Sequence, residues 1–471
     1  MKSKNTFIPP RVNFISLGCA KNLLDSEKML ARLAEAQMLL VGPDDPADVT
    51  IINTCSFIQE ARQEAFEAIN EALDAKRAGL TRYVIVVGCL AQHWADRLKR
   101  HLPHIDAVLG LSARDEISRL VKQLLNDNDP GVKNPIPVLV EPFRGPIKSD
   151  RGRLRLTEPC WAYLRISDGC SRGCSFCTIG RIRGPYRSKD SNEIIAEAAE
   201  LIADGVLELN LIGQETSSYG ADIGYSGGLA QLLFQLNKLD HLRWIRLLYV
   251  HPATLCDDQI DAMARCEKVV PYLDIPLQHI NDRILNSMNR RITRSRTEEL
   301  LKKLRARIDN PALRTTMMVG FPTETDAEFE ELLDFVREYR FEALGAFMYS
   351  AEVGTPAAKI KGAVSQKIKK QRWEKLMRTQ QEIAFAQAEA MAGKNVSCLL
   401  LKELSETEVN QLQLSGQKCW FTARHARQGP EIDSECFVAA DIHRPVKVNQ
   451  ITQVKITGRR DYDLIGHLPP Q

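Results

Sequence analysis

Three cysteines close together constrain this chain more than any other feature. Cys170, Cys174 and Cys177 stand in a C-x3-C-x2-C pattern within eight residues. Links this short cannot send the thiols to separate places, so the loop must wrap them onto one centre. A mononuclear zinc site is usually completed by a second Cys or His pair, and no such pair follows within the next seventy residues. Three thiols without a local fourth point to an iron–sulfur cluster with one iron left open to a small molecule. A zinc knuckle or a group of buried thiols is the alternative.

The segment before this loop alternates between two periods. Apolar runs at 12–17, 49–52, 83–87 and 107–109 read as strands, and helical spacing fills 23–39, 58–75, 92–100 and 114–125. Strands separated by helices predict a parallel sheet covered on both faces. Cys19, Cys55 and Cys89 each fall just past one of the first three strands. Ligands of such sheets sit beyond the carboxyl ends of the strands, so these three thiols are expected to converge as a second set. The bland alternative is that a small apolar Cys fills a tight strand end as packing.

Asn126 to Gly131 and the prolines at 135, 137, 142 and 146 break the pattern. Beyond them, strand-like runs at 162–166, 207–212, 244–249, 269–275, 313–319 and 343–348 alternate with helical stretches such as 192–203, 295–308 and 327–339. Six such units suit an open or partial barrel, whose active site lies at the carboxyl ends of its strands. The cluster loop leaves the first strand there. Gly213-Gln214-Glu215-Thr216, Pro276-Leu277-Gln278-His279 and the 320–325 turn follow other strands and outline the same rim. Singly each has a plain reading as turn punctuation, His279 as a satisfied loop residue and Thr325 as a helix cap.

Arg181, Arg183, Arg187 and Lys189 continue the cluster loop without an acid before Asp190. They are expected either as a solvated loop or as a basic rim that attracts a partner. The basic stretch 359–378 reads as an amphipathic helix that contacts RNA or an acidic surface, or is simply solvated. From 393 the period changes to five short strand-like runs, 395–401, 419–423, 436–438, 444–448 and 453–456, which suggest a small antiparallel barrel of oligonucleotide-binding type. Residues 394–471 hold ten Lys/Arg against nine Asp/Glu, which tilts the expectation from RNA toward a protein partner.

Net charge is +3 over 471 residues, so composition announces no nucleic-acid binder. The first eleven residues lack an apolar core, and the run at 83–91 is too short to span a membrane. A cytoplasmic location is expected, where the 12 cysteines stay reduced. Cys160, Cys256, Cys266, Cys398, Cys419 and Cys436 show no ligand spacing and read as packing thiols.

The cluster loop, the following Phe176 and Arg-Gly-Pro-Tyr-Arg-Ser at 183–188 resemble the radical S-adenosylmethionine enzymes. Ser-Leu-Gly-Cys-Ala-Lys-Asn at 16–22 and Asn-Thr-Cys at 53–55 resemble, more narrowly, the methylthiotransferases. Motifs at 16–22, 272–279, 430–433 and 461–464 look like the branch acting on an aspartate of small ribosomal subunit protein twelve (the RimO type). The tRNA-modifying branch (the MiaB type) would more often show Pro-Val-Gln-Ser near Pro276. Glu215 stands where the first branch usually has Asp, and the chain is a few residues longer at 403–415.

The resemblance implies an α/β chain of three modules: an N-terminal parallel sheet at 9–128, a linker at 129–155, a partial (β/α)6 radical barrel at 156–391 and a TRAM β-barrel at 393–470. It implies two 4Fe-4S clusters, one on Cys170, Cys174 and Cys177 and an auxiliary one on Cys19, Cys55 and Cys89. S-adenosylmethionine would meet Phe176, Gly213, Gln214, Glu215 and Gln278. The expected reaction is methylthiolation of the aspartate β-carbon, with the ribosomal protein met through the TRAM barrel and the basic rim. An electron donor such as a flavodoxin or ferredoxin and a sulfur donor would serve it. Modification of an adenosine in tRNA is the alternative, and a non-enzymatic zinc- or RNA-binding protein is the alternative of another class.

Overall fold

The alternation in the first segment builds a six-stranded parallel sheet. The computed structural model describes residues 8–43, 45–126, 137–143, 145–414, 418–441 and 445–469. In chain order the first elements are β1 (Arg11–Ser16), α1 (Ala20–Glu35), β2 (Leu39–Val41), β3 (Ala47–Thr54), α2 (Gln59–Arg77), β4 (Thr81–Gly88), α3 (Cys89–His101), β5 (Ala107–Leu109), α4 (Ile117–Asn126) and β6 (Val138–Leu139). The strand order is β2-β1-β3-β4-β5-β6. The order of winding reverses between β1 and β3, while all strands stay parallel, so the crevice expected of a doubly wound sheet opens there. Val84 to Val87 are all buried, as a strand covered on both faces requires. Each fully buried side chain of this kind contributes about 1.5–3 kcal/mol.

The two edge strands were not legible in the sequence. Leu39 read as the end of a helix, and Val138–Leu139 fell in a proline-broken stretch. Both are too short to show a period, and they exist because each pairs with a formed neighbour, Arg11 with Leu39 and Val108 with Val138.

Contacts divide the chain into two compact units. The first comprises Met1–Leu156, Asp168–Ser171 and Thr178–Arg187; the second comprises Thr157–Ser167, Arg172–Cys177 and Ser188–Gln471. The second holds an open parallel sheet and a closed barrel. Its sheet elements are β7 (Trp161–Arg165), α5 (Ser191–Ala203), β8 (Glu208–Ile212), α6 (Gly228–Asn237), β9 (Trp244–Leu247), α7 (Asp257–Arg265), β10 (Val269–Asp274), α8 (Arg294–Arg307), β11 (Ala312–Val319), α9 (Asp326–Tyr339), β12 (Ala343–Met348) and α10 (Gln366–Glu389). The six strands lie in sequence order, all parallel, as the six-unit expectation requires. Thr325 does cap α9: its hydroxyl accepts from Glu328 N, and the Glu328 carboxylate accepts from Thr325 N.

The barrel contains β13 (Asn395–Glu403), α11 (Glu406–Gln411), β14 (Lys418–His425), β15 (Cys436–Asp441), β16 (Gln450–Arg460) and β17 (Asp463–His467), closed in the order β13-β14-β15-β17-β16. The expected strand at 444–448 is absent among its described residues. Pro445 has no N–H to donate to a ladder, and the fourth strand starts at Gln450 instead. The fifth strand, unread in the sequence, returns after a two-residue turn with Asp461 at φ +49°. Within 403–415, whose last residue lies outside the described residues, stands the short α11, whose Val409 packs with Trp420.

Candidate active site

Register brings Cys19, Cys55 and Cys89 to one edge of the sheet. Ser16 pairs with Asn53 and Thr54 with Gly88, so the carboxyl ends of β1, β3 and β4 are level on adjacent strands. A Cβ on Gly18, at φ +96°, would stand 2.7 Å from the Cys55 Cβ. A Cβ on Gly88, at φ +94°, would stand 2.2 Å from Asn53 Oδ1. Bare glycines ahead of Cys19 and Cys89 thus let the three strand ends close together.

The three thiols differ electrostatically. Cys19 is exposed while Cys55 and Cys89 are buried. What desolvation its thiol meets from close neighbours opposes ionisation, but Lys21, Arg183 and the backbone N–H groups of Asn22 and Lys21 outweigh it and hold this thiol below its ordinary value. Burial pushes Cys55 up, helped by Cys19. Burial pushes Cys89 to about 12, against the pull of Arg183. Cys55 feels the charge of Cys19, and Cys89 feels both. Among the described residues no three His, Cys, Asp or Glu side chains converge on a single ion.

The C-x3-C-x2-C loop leaves the sheet after β7, as expected. In the first unit, Cys170 N donates to Gly184 O at 3.2 Å. In the second, Cys177 N donates to Cys174 O at 3.1 Å, Asn289 Nδ2 donates to Gly173 O at 2.7 Å, and Arg290 Nη1 lies 3.5 Å from Cys174 Sγ. All three cysteines are half-buried. Phe176 packs on the apolar group of Ile284, Met288, Met318, Phe321, Tyr349 and Ala357.

Polar groups past β8, β9 and β10, three adjacent strands, line the carboxyl end of the second unit's sheet. Glu215 is buried; its Oε1 accepts from Ser217 Oγ at 2.6 Å and Ser218 N at 2.8 Å, while Oε2 faces Arg172 Nε at 3.4 Å. Gly213 adjoins Ser167, whose hydroxyl donates to Glu215 O. Both amide atoms of Gln214, Oε1 of Gln278 and Nε2 of His251 are buried without a hydrogen-bond partner. Unpaired buried polar atoms are costly in a finished core, and several of them gather at this end. His251, Arg172 and Arg290 were missed in the sequence because single polar residues in loops carry no spacing signal.

The basic rim is a correction. Arg183 and Lys189 are buried, Lys189 against Glu197 at 2.7 Å and Arg183 against Asp25 at 2.8 Å. Arg187 stacks over Phe143 at 4.9 Å and faces Asp168. Only Arg181 of the four is exposed, because internal carboxylates take up the other charges. The basic helix α10 is reduced likewise: Lys369 donates to Tyr349 O at 2.6 Å, and Arg372 pairs with Glu324 at 2.7 Å. The expectation that His279 is a satisfied loop residue holds for one ring nitrogen only: Nδ1 accepts from Asn281 N at 3.0 Å, while the buried Nε2 has no hydrogen-bond partner and lies 3.7 Å from Glu324 Oε2. Of the six cysteines read as packing, four are buried, Cys419 is half-buried and Cys256 is exposed.

The barrel is fastened to the sheet by buried ions. Glu208 accepts from Arg246 Nε at 2.9 Å and Arg424 Nη2 at 2.6 Å. Tyr163 OH donates to Glu431 at 2.9 Å, Tyr272 OH to Asp433 at 2.6 Å, and Arg246 Nη1 to Ala426 O at 2.8 Å.

Comparison with known proteins agrees with this layout. The Radical SAM superfamily profile matches residues 164–336, the Uncharacterized protein family UPF0004 profile residues 11–110, and the TRAM domain profile residues 414–468. The solved radical S-adenosylmethionine methyltransferase TsrM of Kitasatospora setae, with cobalamin and a [4Fe-4S] cluster bound, shares the fold at a TM-score of 0.52 and 14% identity, covering 74% of this chain and 77% of that one. An open parallel sheet with a three-thiol loop after its first strand, matched by that profile, makes this a radical S-adenosylmethionine protein. The chain is 38% identical to the ribosomal protein uS12 methylthiotransferase RimO of Geotalea uraniireducens (strain Rf4), over 99% of this chain and 100% of the relative. It is 41% identical to that of Anaeromyxobacter sp. (strain K), over 97% and 93%. The chain belongs to the ribosomal protein uS12 methylthiotransferase family.

Proposed function

We propose that the chain transfers a methylthio group to the β-carbon of an aspartate in small ribosomal subunit protein twelve. The observation that carries this reading is the presence of two three-thiol sets, one in a single loop and one assembled from three level strand ends, in a chain related over its full length to RimO proteins. The working modules are read as 9–128, 156–391 and 393–470, joined by 129–155.

Cys170, Cys174 and Cys177 would hold the radical cluster, and Cys19, Cys55 and Cys89 the auxiliary one. When bound, these clusters and S-adenosylmethionine supply a carbon radical that removes hydrogen from the substrate, the sulfur to be inserted and the methyl group. The residues bind and orient. Glu215, pinned by Ser217 and Ser218, offers a fixed carboxylate to the cofactor's amino group. Gly213 keeps the strand end thin, Gln214 and Gln278 bring unpaired amides, and Phe176 supplies apolar support. Arg290 donates toward the Cys174 sulfur. A flavodoxin- or ferredoxin-like electron donor and a separate sulfur donor complete the reaction. Contact with the ribosomal protein is assigned to the TRAM barrel, without the basic rim. No described helix is long and apolar enough to cross a membrane, and a cytoplasmic ribosomal target suits that.

Mass spectrometry of ribosomal proteins and tRNA, from cells with and without the gene, tests the substrate. A methylthio gain on the ribosomal protein is expected; a gain on tRNA alone would overturn the reading. Changing Cys170, Cys174 and Cys177 to Ala should halve the iron per chain and abolish deoxyadenosine formation. Changing Cys19, Cys55 and Cys89 should halve the iron and leave that cleavage largely intact.

A further inference from the structure

A buried cation lies against the Cys19, Cys55 and Cys89 set. Arg183 is 1% exposed. Its Nη2 lies 2.8 Å from Asp25 Oδ2 and 3.6 Å from Cys89 Sγ, and its Nη1 lies 3.5 Å from Asp168 Oδ1. Neither carboxylate belongs to Arg183 alone. Asp25 Oδ1 accepts from Arg114 Nη1 at 2.8 Å, and Asp168 Oδ2 lies 3.7 Å from Arg187 Nη2. Three guanidiniums therefore meet two carboxylates. A guanidinium does not give up its proton in a protein, so Arg183 keeps its positive charge beside the Cys89 sulfur. Arg183 also acts on Cys19 and Cys55, as well as on the Cys89 it touches.

The backbone adds a second link. Gly184, the next residue, accepts from Cys170 N. Two consecutive residues thus reach one cysteine of each set, both within the first unit.

We propose that Arg183 is a positioning residue for the auxiliary cluster: its charge offsets the thiolates of Cys19, Cys55 and Cys89, its Nη2 donates to the Cys89 sulfur, and together these raise the cluster's reduction potential. This rests on the reading that those thiols hold a cluster. Donors and positive charge at cluster sulfurs favour the reduced, more negative state. Arg183 lies far in sequence from Cys19, Cys55 and Cys89, and its own motif reads as a surface loop, so only the fold brings it to the sulfur.

The test uses the full chain with Cys170, Cys174 and Cys177 changed to Ala, so that the auxiliary cluster alone is read. Iron is counted after anaerobic reconstitution, and the potential is titrated by electron paramagnetic resonance. Arg183→Gln leaves Asp25 with Arg114 and Asp168 facing Arg187, and keeps a neutral side-chain donor at the site. It should make the cluster at least tenfold harder to reduce, about 59 mV for one electron. Arg183→Lys should restore most of that shift. Asp25→Asn removes a negative charge and should shift the potential the opposite way, which keeps the proposal open to test if the glutamine variant loads poorly. An unchanged potential in Arg183→Gln, or equal shifts for Gln and Lys, overturns the proposal while leaving the cluster in place. A parent chain that binds no iron overturns the cluster reading itself, and the proposal with it.

Discussion

The Tyr272 hydroxyl donates to Asp433 Oδ2 at 2.6 Å, joining residues 161 positions apart. Tyr272 belongs to the parallel sheet and Asp433 to the segment between two barrel strands. Both lie in motifs that, in the sequence, looked like marks of the ribosomal-protein branch. Their contact shows what they do in the fold, which is to hold the barrel on the sheet. Burial, then the Asp433 charge, keeps the phenol protonated and able to donate.

Tyr272→Phe should therefore destabilise the second unit by about 1.5–3 kcal/mol, the range for a hydrogen bond to a charged group. Asp433→Ala should cost more, since Gly429 N and Arg314 also lose their acceptor. Urea midpoints measure both. Deoxyadenosine formation per folded chain should stay unchanged, and a specific loss of that cleavage in Tyr272→Phe would contradict the fastening role.

Glu208 makes a stricter version of the same point. It is fully buried between Arg246 and Arg424. Burial disfavours its charge, but the two guanidiniums outweigh burial and hold its pKa below the ordinary value. Glu208→Ala leaves two buried cations without their anion and should cost about 3–5 kcal/mol. Because the folded pKa is depressed, the contribution of Glu208 is present above the ordinary carboxylate range and is lost as pH falls through the folded value. Glu208→Ala should accordingly show a smaller loss of stability on acidification below about pH 4 than the parent does, measured by denaturant titration at each pH.

Gly18 offers a test of how the auxiliary thiols are brought together. Its φ of +96° and the 2.7 Å approach to Cys55 leave no place for a side chain. Gly18→Ala should force β1 and β3 apart at that end, at a cost of about 1–3 kcal/mol for the strained backbone. Iron per chain should fall toward half, as when the three cysteines are removed. Iron content of the reconstituted variant reads this directly, and full iron would mean that the strand ends tolerate the opening.

Much of this architecture was legible because its signals are periodic. The six strands of the second sheet appear within a residue or two of their apolar runs, and Cys19, Cys55 and Cys89 stood out because each follows such a run. Edge strands β2 and β6 had too few residues to show a period. The role of Arg183 was hidden for another reason. Charge in a loop reads as solvent-facing unless its partner is known, and Asp25 lies far away on α1. The same holds for Lys369 and Arg372, whose partners come from other elements. Sequence spacing reveals what is repeated or locally clustered; it does not reveal which distant carboxylate will meet a given cation.

Three buried histidines give the second unit an acid threshold of its own. His251, His279 and His425 each accept a backbone N–H at Nδ1, from Ala253, Asn281 and Arg427, at 3.2, 3.0 and 3.1 Å. A proton on Nδ1 would break each contact, so the folded state keeps them neutral. Burial is the main cause, with arginines nearby, and it lowers His251 to about 2 and both His279 and His425 to about 3. Unfolded imidazoles titrate at about 6.5. Between these values the unfolded chain binds more protons than the folded one, so stability rises with pH up to the ordinary imidazole range and is lost as pH falls below it. The slope should approach about 1.4 kcal/mol per pH unit for each histidine, well above the pH at which Glu208 begins to matter. His425→Asn, whose side-chain oxygen can still accept the Arg427 N–H, should reduce that slope by one proton. Calorimetric unfolding between about pH 5 and 7 measures the proton uptake, and a flat stability profile over that interval would contradict the neutral assignment.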